Sequence, residues 1–245
     1  MIDLGGKRAL VCGGTKGIGK ATATSLRDCG AKVVVLSRSA SGKDTITCDL
    51  EDIDLLTTSI KEEIVEKGPF QILINNSGGP PSGAIVDASP NDFEKAFRRH
   101  VLASQTLVQL LLPGMKESNY GRVINIVSIS VKEPIVGLGV SNTVRGAMAA
   151  WSKTLSKELP SGITINNVLP GFTDTERLEE LKKTISEREG INPNEVEKAW
   201  LSSVPEGRLA NPSELGNVIA FLASPAASFV RGVSLPVDGG RTGSI

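Results

Sequence analysis

Short apolar runs alternate with stretches of helical period from one end of the chain to the other. Strands covered on both faces read as continuous apolar runs, so the alternation predicts a parallel sheet with crossover helices. The runs place strands at 8–12, 32–36, 45–47, 72–75, 122–127, 164–169 and 234–237. Helical periods fall near 18–29, 55–66, 90–112, 141–159 and 212–222. Pro90 and Pro212 suit a first helical turn, with Ser89 and Asn211 before them as caps.

Two stretches interrupt the alternation. Residues 38–44 are too few for a crossover helix, since parallel strands are normally linked by a dozen or more residues, so a turn or a degenerate helix is expected there. Residues 174–206 are charged, helix-prone and punctuated by Pro193 and Pro205, which reads as an inserted pair of short helices. Such an insertion is either a solvated excursion or a lid over a ligand cleft.

Composition narrows the classes without choosing among them. The 245 residues hold one substantial core, read as a single domain over 1–245. Lys+Arg and Asp+Glu both total 27, so neither a nucleic-acid field nor an acidic tail is present. No apolar run approaches the roughly 18 residues of a membrane span, and the N-terminus lacks the basic-then-apolar plan of a signal peptide. A cytoplasmic protein with no nucleic-acid or membrane partner is expected. Cys12, Cys29 and Cys48 form no C-x-x-C pair and read as free thiols, mostly buried.

Candidate chemistry begins at Gly13-Gly14-Thr15-Lys16-Gly17-Ile18-Gly19, which follows a strand and opens a helix. Glycines there let backbone N–H groups approach a pyrophosphate, and the helix N-terminus adds partial positive charge. Strand two ends in Ser37-Arg38, where an acidic residue would otherwise hold the ribose hydroxyls of NAD. With that carboxylate missing and Lys16 and Arg38 converging, a 2′-phosphate is attracted. NADP(H) is therefore the expected cofactor, with NAD(H) the lesser partner.

Further segments carry a resemblance. The chain resembles the short-chain dehydrogenase/reductases of the classical type, and among them the 3-oxoacyl-[acyl-carrier-protein] reductases. It shares their T-G-x-x-x-G-I-G turn, with Cys12 for the threonine. It also shares Cys48-Asp49-Leu50 on the adenine side, Asn75-Asn76-Ser77-Gly78 for N-N-A-G, and Gly121-Arg122-Val123-Ile124-Asn125-Ile126 before the catalytic serine. Asn167-Val168-Leu169-Pro170-Gly171 matches the loop bordering the nicotinamide, and Leu235-Pro236-Val237-Asp238-Gly239-Gly240 the last strand and turn.

The resemblance implies an α/β, Rossmann-like, doubly wound sheet of seven parallel strands with helices on both faces, in a homodimer or homotetramer. The cofactor contacts it implies are Gly13, Thr15, Lys16, Gly17, Ile18, Gly19, Ser37, Arg38, Asp49, Leu50, Asn76, Ser77, Gly78, Arg145, Pro170, Gly171, Thr173 and Thr175. The family normally has a helix after strand two, and the short 38–44 link departs from that.

The family's catalytic tetrad is Asn, Ser, Tyr and Lys, the last two spaced Y-x-x-x-K. Ungapped counting from Gly78 puts His100 at the Asn position, and counting from Ser128 puts Ser141 at the tyrosine and Arg145 at the lysine. Carbonyl reduction needs a proton donor with a pKa near the working pH, which a lysine-flanked tyrosine provides and a serine does not. Arg145 keeps its own proton at physiological pH. Tyr120, the one tyrosine, precedes strand five, while ligands bind beyond the carboxyl ends of strands.

His100, the one histidine, has an unperturbed pKa near ~6.5 and is the candidate donor, with a purely structural hydrogen-bonding role as the alternative. Glu133 is a weaker acid candidate. A hydrolytic reading of Ser128, Ser141 and His100 lacks a carboxylate and an oxyanion turn in matching context. Two functions remain: an NADP(H)-dependent oxidoreductase acting on a ketone or secondary alcohol, possibly of 3-oxoacyl type, or an NADP(H)-binding pseudoenzyme serving as sensor or oligomer partner.

Overall fold

A computed structural model describes residues 2–244. Its centre is a seven-stranded sheet in the order β3-β2-β1-β4-β5-β6-β7 with every pairing parallel. The strands are β1 Arg8–Cys12, β2 Lys32–Ser37, β3 Thr45–Thr47, β4 Ile72–Asn75, β5 Gly121–Ile126, β6 Ile163–Pro170 and β7 Ser234–Val237. Each lies within a residue or so of its predicted run. The order turns back between β1 and β4, which creates the crevice where ligands of open α/β sheets bind.

Helices α1 Gly17–Asp28 and α8 Pro212–Ala223 cover one face, where Ala23, Leu26, Leu215 and Ile219 pack on Val11, Ile74, Ile124 and Val168. Helices α2 Ile53–Lys67 and α4 Ala103–Glu117 cover the other, where Leu56, Ile60, Leu107 and Leu111 pack on Leu10, Val34, Leu73 and Val123. Each fully buried Leu or Ile contributes about 1.5–3 kcal/mol, so both layers are needed to offset chain entropy. The expected caps are present: Ser89 and Asn211 form capping boxes with Asp92 and Glu214, each with Pro at the first turn.

The predicted helix over 90–112 is instead α3 Pro90–Phe97, a π-helical turn Arg98–Leu102, and then α4. The extra residue of such a turn is invisible to a 3.6-residue period. The 38–44 link is a turn, with Gly42 at φ 97° and Asp44 at φ 58°. After β6 come α6 Glu176–Glu189 and α7 Pro193–Ser202, the two expected short helices. Their excursion leaves and returns at one place, where Thr173 bridges Ala210, the Asp174 N–H donates to Ala210 O (2.9 Å) and the Ala210 N–H to Phe172 O (2.9 Å). Helix α5, Gly139–Glu158, packs on β6 and completes the fold.

Candidate functional site

The carboxyl ends of β1, β4, β5 and β6 carry the residues singled out above. At β1 the chain turns sharply: Gly13 has φ 60° and Gly17 φ 49°, a region that favours glycine. A Cβ on Gly19 would stand 2.1 Å from Gly13 O and 2.7 Å from Asn76 Nδ2. The Asn76 amide donates to Cys12 O and Gly13 O (both 3.2 Å), stitching the loop after β4 to this turn. Lys16 occupies the N-cap of α1 without a side-chain cap. The first N–H groups of the helix are thus left to meet an anion. This cradle fits a dinucleotide pyrophosphate.

The two cations of this end each face their own carboxylate. Lys16 Nζ lies 2.6 Å from Glu176 Oε2, at the start of α6. Arg38 is 73% exposed along its side chain and stands 3.9 Å from Asp49 Oδ2, while Asp49 Oδ1 accepts the Glu51 N–H (3.0 Å). Lys16 is therefore engaged by the first turn of the insertion. Leu50 lines the inner end of the cleft with Cys12, whose thiol burial pushes up to about 12, so it is protonated and inert.

A polar ladder crosses the sheet at the same level. Asn75 Nδ2 donates to Asn125 Oδ1 (2.8 Å), Asn125 Nδ2 to Asn167 Oδ1 (2.8 Å), and Asn167 Nδ2 to Ser234 Oγ (3.0 Å). These residues are partners in register on β4, β5, β6 and β7. A one-residue slip of any strand would strand buried amides, so the ladder locks the positions from which the site loops depart. Asn125, an asparagine inside an apolar strand, is a signal in itself.

Ser128 follows β5 and its Oγ accepts the Ser130 N–H (3.0 Å), which leaves its own O–H free to donate. Ser141 is half-buried in the first turn of α5. Asn142 ties that turn to the loop, its Nδ2 donating to Ile135 O (2.8 Å). Arg145, one turn on, donates from Nη1 to Ile126 O (2.9 Å), and its sealed Nε has no partner. Among the described residues it has no salt-bridged carboxylate. Burial pushes its pKa down to about 10, so it remains a cation at neutral pH.

Arg145 shares a cavity of about 10 Å³ with Asn75, Ser77 and His100, room for about one water. The Oδ1 of Asn75 is likewise buried without a partner. Tyr120 is elsewhere: its hydroxyl donates to Ala223 O (2.5 Å) and its ring lies against Lys7 and Arg122, at the opposite end of the sheet. Glu133 is not an available acid, because its Oε1 accepts the N–H groups of Gly243 (2.8 Å) and Ser244 (3.0 Å).

His100 is buried. The π-helical turn carries it inward to 6% exposure, with Nδ1 2.9 Å from Ser77 Oγ. Burial, then the Arg145 and Arg99 guanidinium groups, hold its pKa well below the usual value. The ring is neutral at physiological pH and has no imidazolium proton to give. Its low folded-state pKa carries a stability signature. Below about pH 6.5 the unfolded chain takes up a proton that the folded chain refuses. Stability is therefore full at pH 7 and falls as the pH drops below 6.5, by up to roughly 1.4 kcal/mol per unit. His100→Asn is expected to flatten that slope. Urea midpoints at pH 7 and 5.5 check this, and parallel slopes in both proteins would refute it.

The insertion touches two of the loops at this end of the sheet. Thr175, N-cap of α6, stands 3.2 Å from where a Gly17 Cβ would lie, and Arg177 Nη2 donates to Pro80 O (3.3 Å) in the loop after β4. Phe172, beyond Pro170 and Gly171, stacks on Trp200 of α7 with centroids 5.0 Å apart, and Arg241 lies over its other side (4.6 Å). Thr173 is buried, its hydroxyl donating to Gly171 O (3.2 Å).

With this geometry in place, known proteins show the same plan. The family described as Enoyl-(Acyl carrier protein) reductase matches residues 13–242. The chain belongs to the short-chain dehydrogenase/reductase family. Among its relatives, 3-oxoacyl-[acyl-carrier-protein] reductase FabG of Vibrio cholerae is 30% identical over 254 residues, covering 98% of each chain. The FabG of Haemophilus influenzae is 31% identical over 250 residues, covering 96% of this chain and 98% of its own. Among solved structures, YwfH, an NADPH dependent reductase involved in bacilysin biosynthesis, superposes with a TM-score of 0.90 at 26% identity, covering 98% of this chain and 99% of its own. In this short-chain dehydrogenase/reductase no helix among the described residues is long and apolar enough to cross a membrane. Nor do those residues hold a cluster of three or more His, Cys, Asp or Glu suited to a metal ion.

Proposed function

We propose that this chain binds NADP(H) and reduces a ketone, or oxidises the matching secondary alcohol, with 3-oxoacyl compounds the first substrates to try. The observation that carries this reading is the cradle at α1: a turn with no room for a Cβ at Gly19 and an uncapped helix start beneath it. When bound, the nicotinamide supplies or accepts the hydride. Arg145 and the loop 170–175 would hold its ribose and amide end, and Lys16 and Arg38 the 2′-phosphate.

Ser128 orients the carbonyl oxygen through its free O–H. The uncompensated Arg145 cation stabilises negative charge developing there, an electrostatic aid that costs no reorganisation. Ser141, standing where the family's tyrosine is expected, supplies no comparable acid, so the proton comes from water and turnover is slow. Helices α6 and α7 serve as the lid. The half-exposed Phe97 and Leu102 beside Val144 and Ala147 form the face on which copies associate.

A second reading, a cofactor-holding protein without turnover, is favoured by one observation: the neutral, sealed imidazole of His100. Titration with NADPH and NADH, a carbonyl panel and the mass in solution separate the two. NADPH is expected to bind about tenfold or more tighter than NADH, since a charge-assisted contact contributes roughly 1.5–3 kcal/mol. Slow NADPH oxidation above buffer and a mass of two or four chains are expected alongside. Tighter NADH binding sinks the charge argument, and oxidation with no carbonyl leaves the second reading standing.

A further inference from the structure

The ammonium assigned to the 2′-phosphate is already occupied by this chain's own carboxylate. Glu176 is the first residue of α6, and its Oε2 lies 2.6 Å from Lys16 Nζ across 160 positions of sequence. Both side chains are about two-thirds exposed (70% and 68%), so the pair is held by geometry and not by burial. Two contacts fix that geometry. Thr175 caps α6 by accepting the Leu178 N–H (3.3 Å) and packs over Gly17, while Arg177, next to Glu176, reaches Pro80 O. The carboxylate is thereby delivered to the rim of the cofactor cradle whenever the lid lies closed.

We infer that Glu176 is a specificity-determining residue that competes with the 2′-phosphate for Lys16, moderating NADP(H) affinity and tying cofactor entry to the first turn of the lid. This rests on the NADP(H) reading of the site. A dinucleotide with a 2′-phosphate must displace the Glu176 carboxylate from the Lys16 ammonium. One lacking the phosphate leaves the Lys16–Glu176 pair undisturbed. The other cation, Arg38, stands at a looser 3.9 Å from Asp49, so Lys16 is the contact that the competition governs. Opposite charges a few ångströms apart near water attract by an amount that, when the pair must be broken, changes affinity about fivefold. Salt screens it, because the Debye length shrinks to about 3 Å at 1 M.

Equilibrium titration of the full chain, wild type and Glu176→Gln, with NADPH and with NADH tests this. Glu176→Gln is expected to tighten NADPH about fivefold at low salt, leave NADH within twofold, and lose the gain in 1 M NaCl. In a Lys16→Met background the same substitution is expected to leave the NADPH-to-NADH ratio unchanged, as a double-mutant cycle through one pair requires. NADPH binding with an unchanged ratio in Glu176→Gln overturns the competition while sparing the cofactor reading. A gain that persists in Lys16→Met overturns it as well. Binding of neither dinucleotide to either protein overturns both readings.

Discussion

Replacing Ser141 by Tyr and Arg145 by Lys together is expected to raise NADPH-dependent carbonyl reduction by about 10²–10⁴-fold, the usual contribution of a positioned general acid. That range corresponds to roughly 2.7–5.4 kcal/mol off the barrier. The two positions lie one turn apart on α5 and therefore share a face. Ser141 is half-buried, so a larger ring has an exposed side on which to extend. Ser128 keeps its hydroxyl hydrogen free for the carbonyl oxygen, so the new phenol would complete an existing arrangement. Ser141→Tyr alone is expected to gain less, because the Arg145 fork is drawn back to Ile126 O instead of toward the phenol. A distinctive sign accompanies the gain: the double variant's rate should fall at alkaline pH as the phenol loses its proton. A double variant that binds NADPH normally, yet reduces carbonyls within threefold of wild type, would show that these positions do not flank the reacting carbon.

The parts of this molecule legible in the sequence are those governed by local rules. Apolar runs located all seven strands, and Ser89-Pro90 and Asn211-Pro212 announced two helix starts through capping chemistry that needs no tertiary partner. Apolar periodicity predicts α2 from residue 55, two residues after its true start, which is set by Asp52, whose carboxylate takes the Leu55 N–H. What depends on long-range contact was not legible. Lys16 looks like a free cation in sequence and becomes half of an ion pair only when α6 folds over it. Glu133 looks like a loop acid and proves to hold the backbone of the C-terminal segment. His100 stands out in sequence as the one histidine, yet its protonation is set by burial and two arginines, which periodicity does not reveal.

Gly19→Ala is expected to abolish dinucleotide binding, weakening it at least about 100-fold, and to lower the melting temperature. The new methyl would sit 2.1 Å from a backbone oxygen, and no side-chain rotation relieves a clash with Gly13 O. Either α1 slides away from β1 or the turn opens, and both remove the N–H groups from the place where a pyrophosphate would lie. Sliding α1 also disturbs its packing on α8, where a Cβ at Gly216 would already meet Ala21 O at 2.9 Å. Overpacking of this kind costs about 1–3 kcal/mol, which for a chain of this size lowers the melting temperature by roughly 2–12 °C. Gly17→Ala supplies the internal comparison. Its φ of 49° lies where a non-glycine residue pays about 1–2 kcal/mol, but its methyl would meet only the Thr175 methyl at 3.2 Å, which has freedom to yield. The milder variant should therefore fold and retain measurable binding while Gly19→Ala does not. Thermal melts with and without NADPH distinguish them, and a Gly19→Ala protein that NADPH still stabilises like wild type would mean that the cofactor does not enter through this turn.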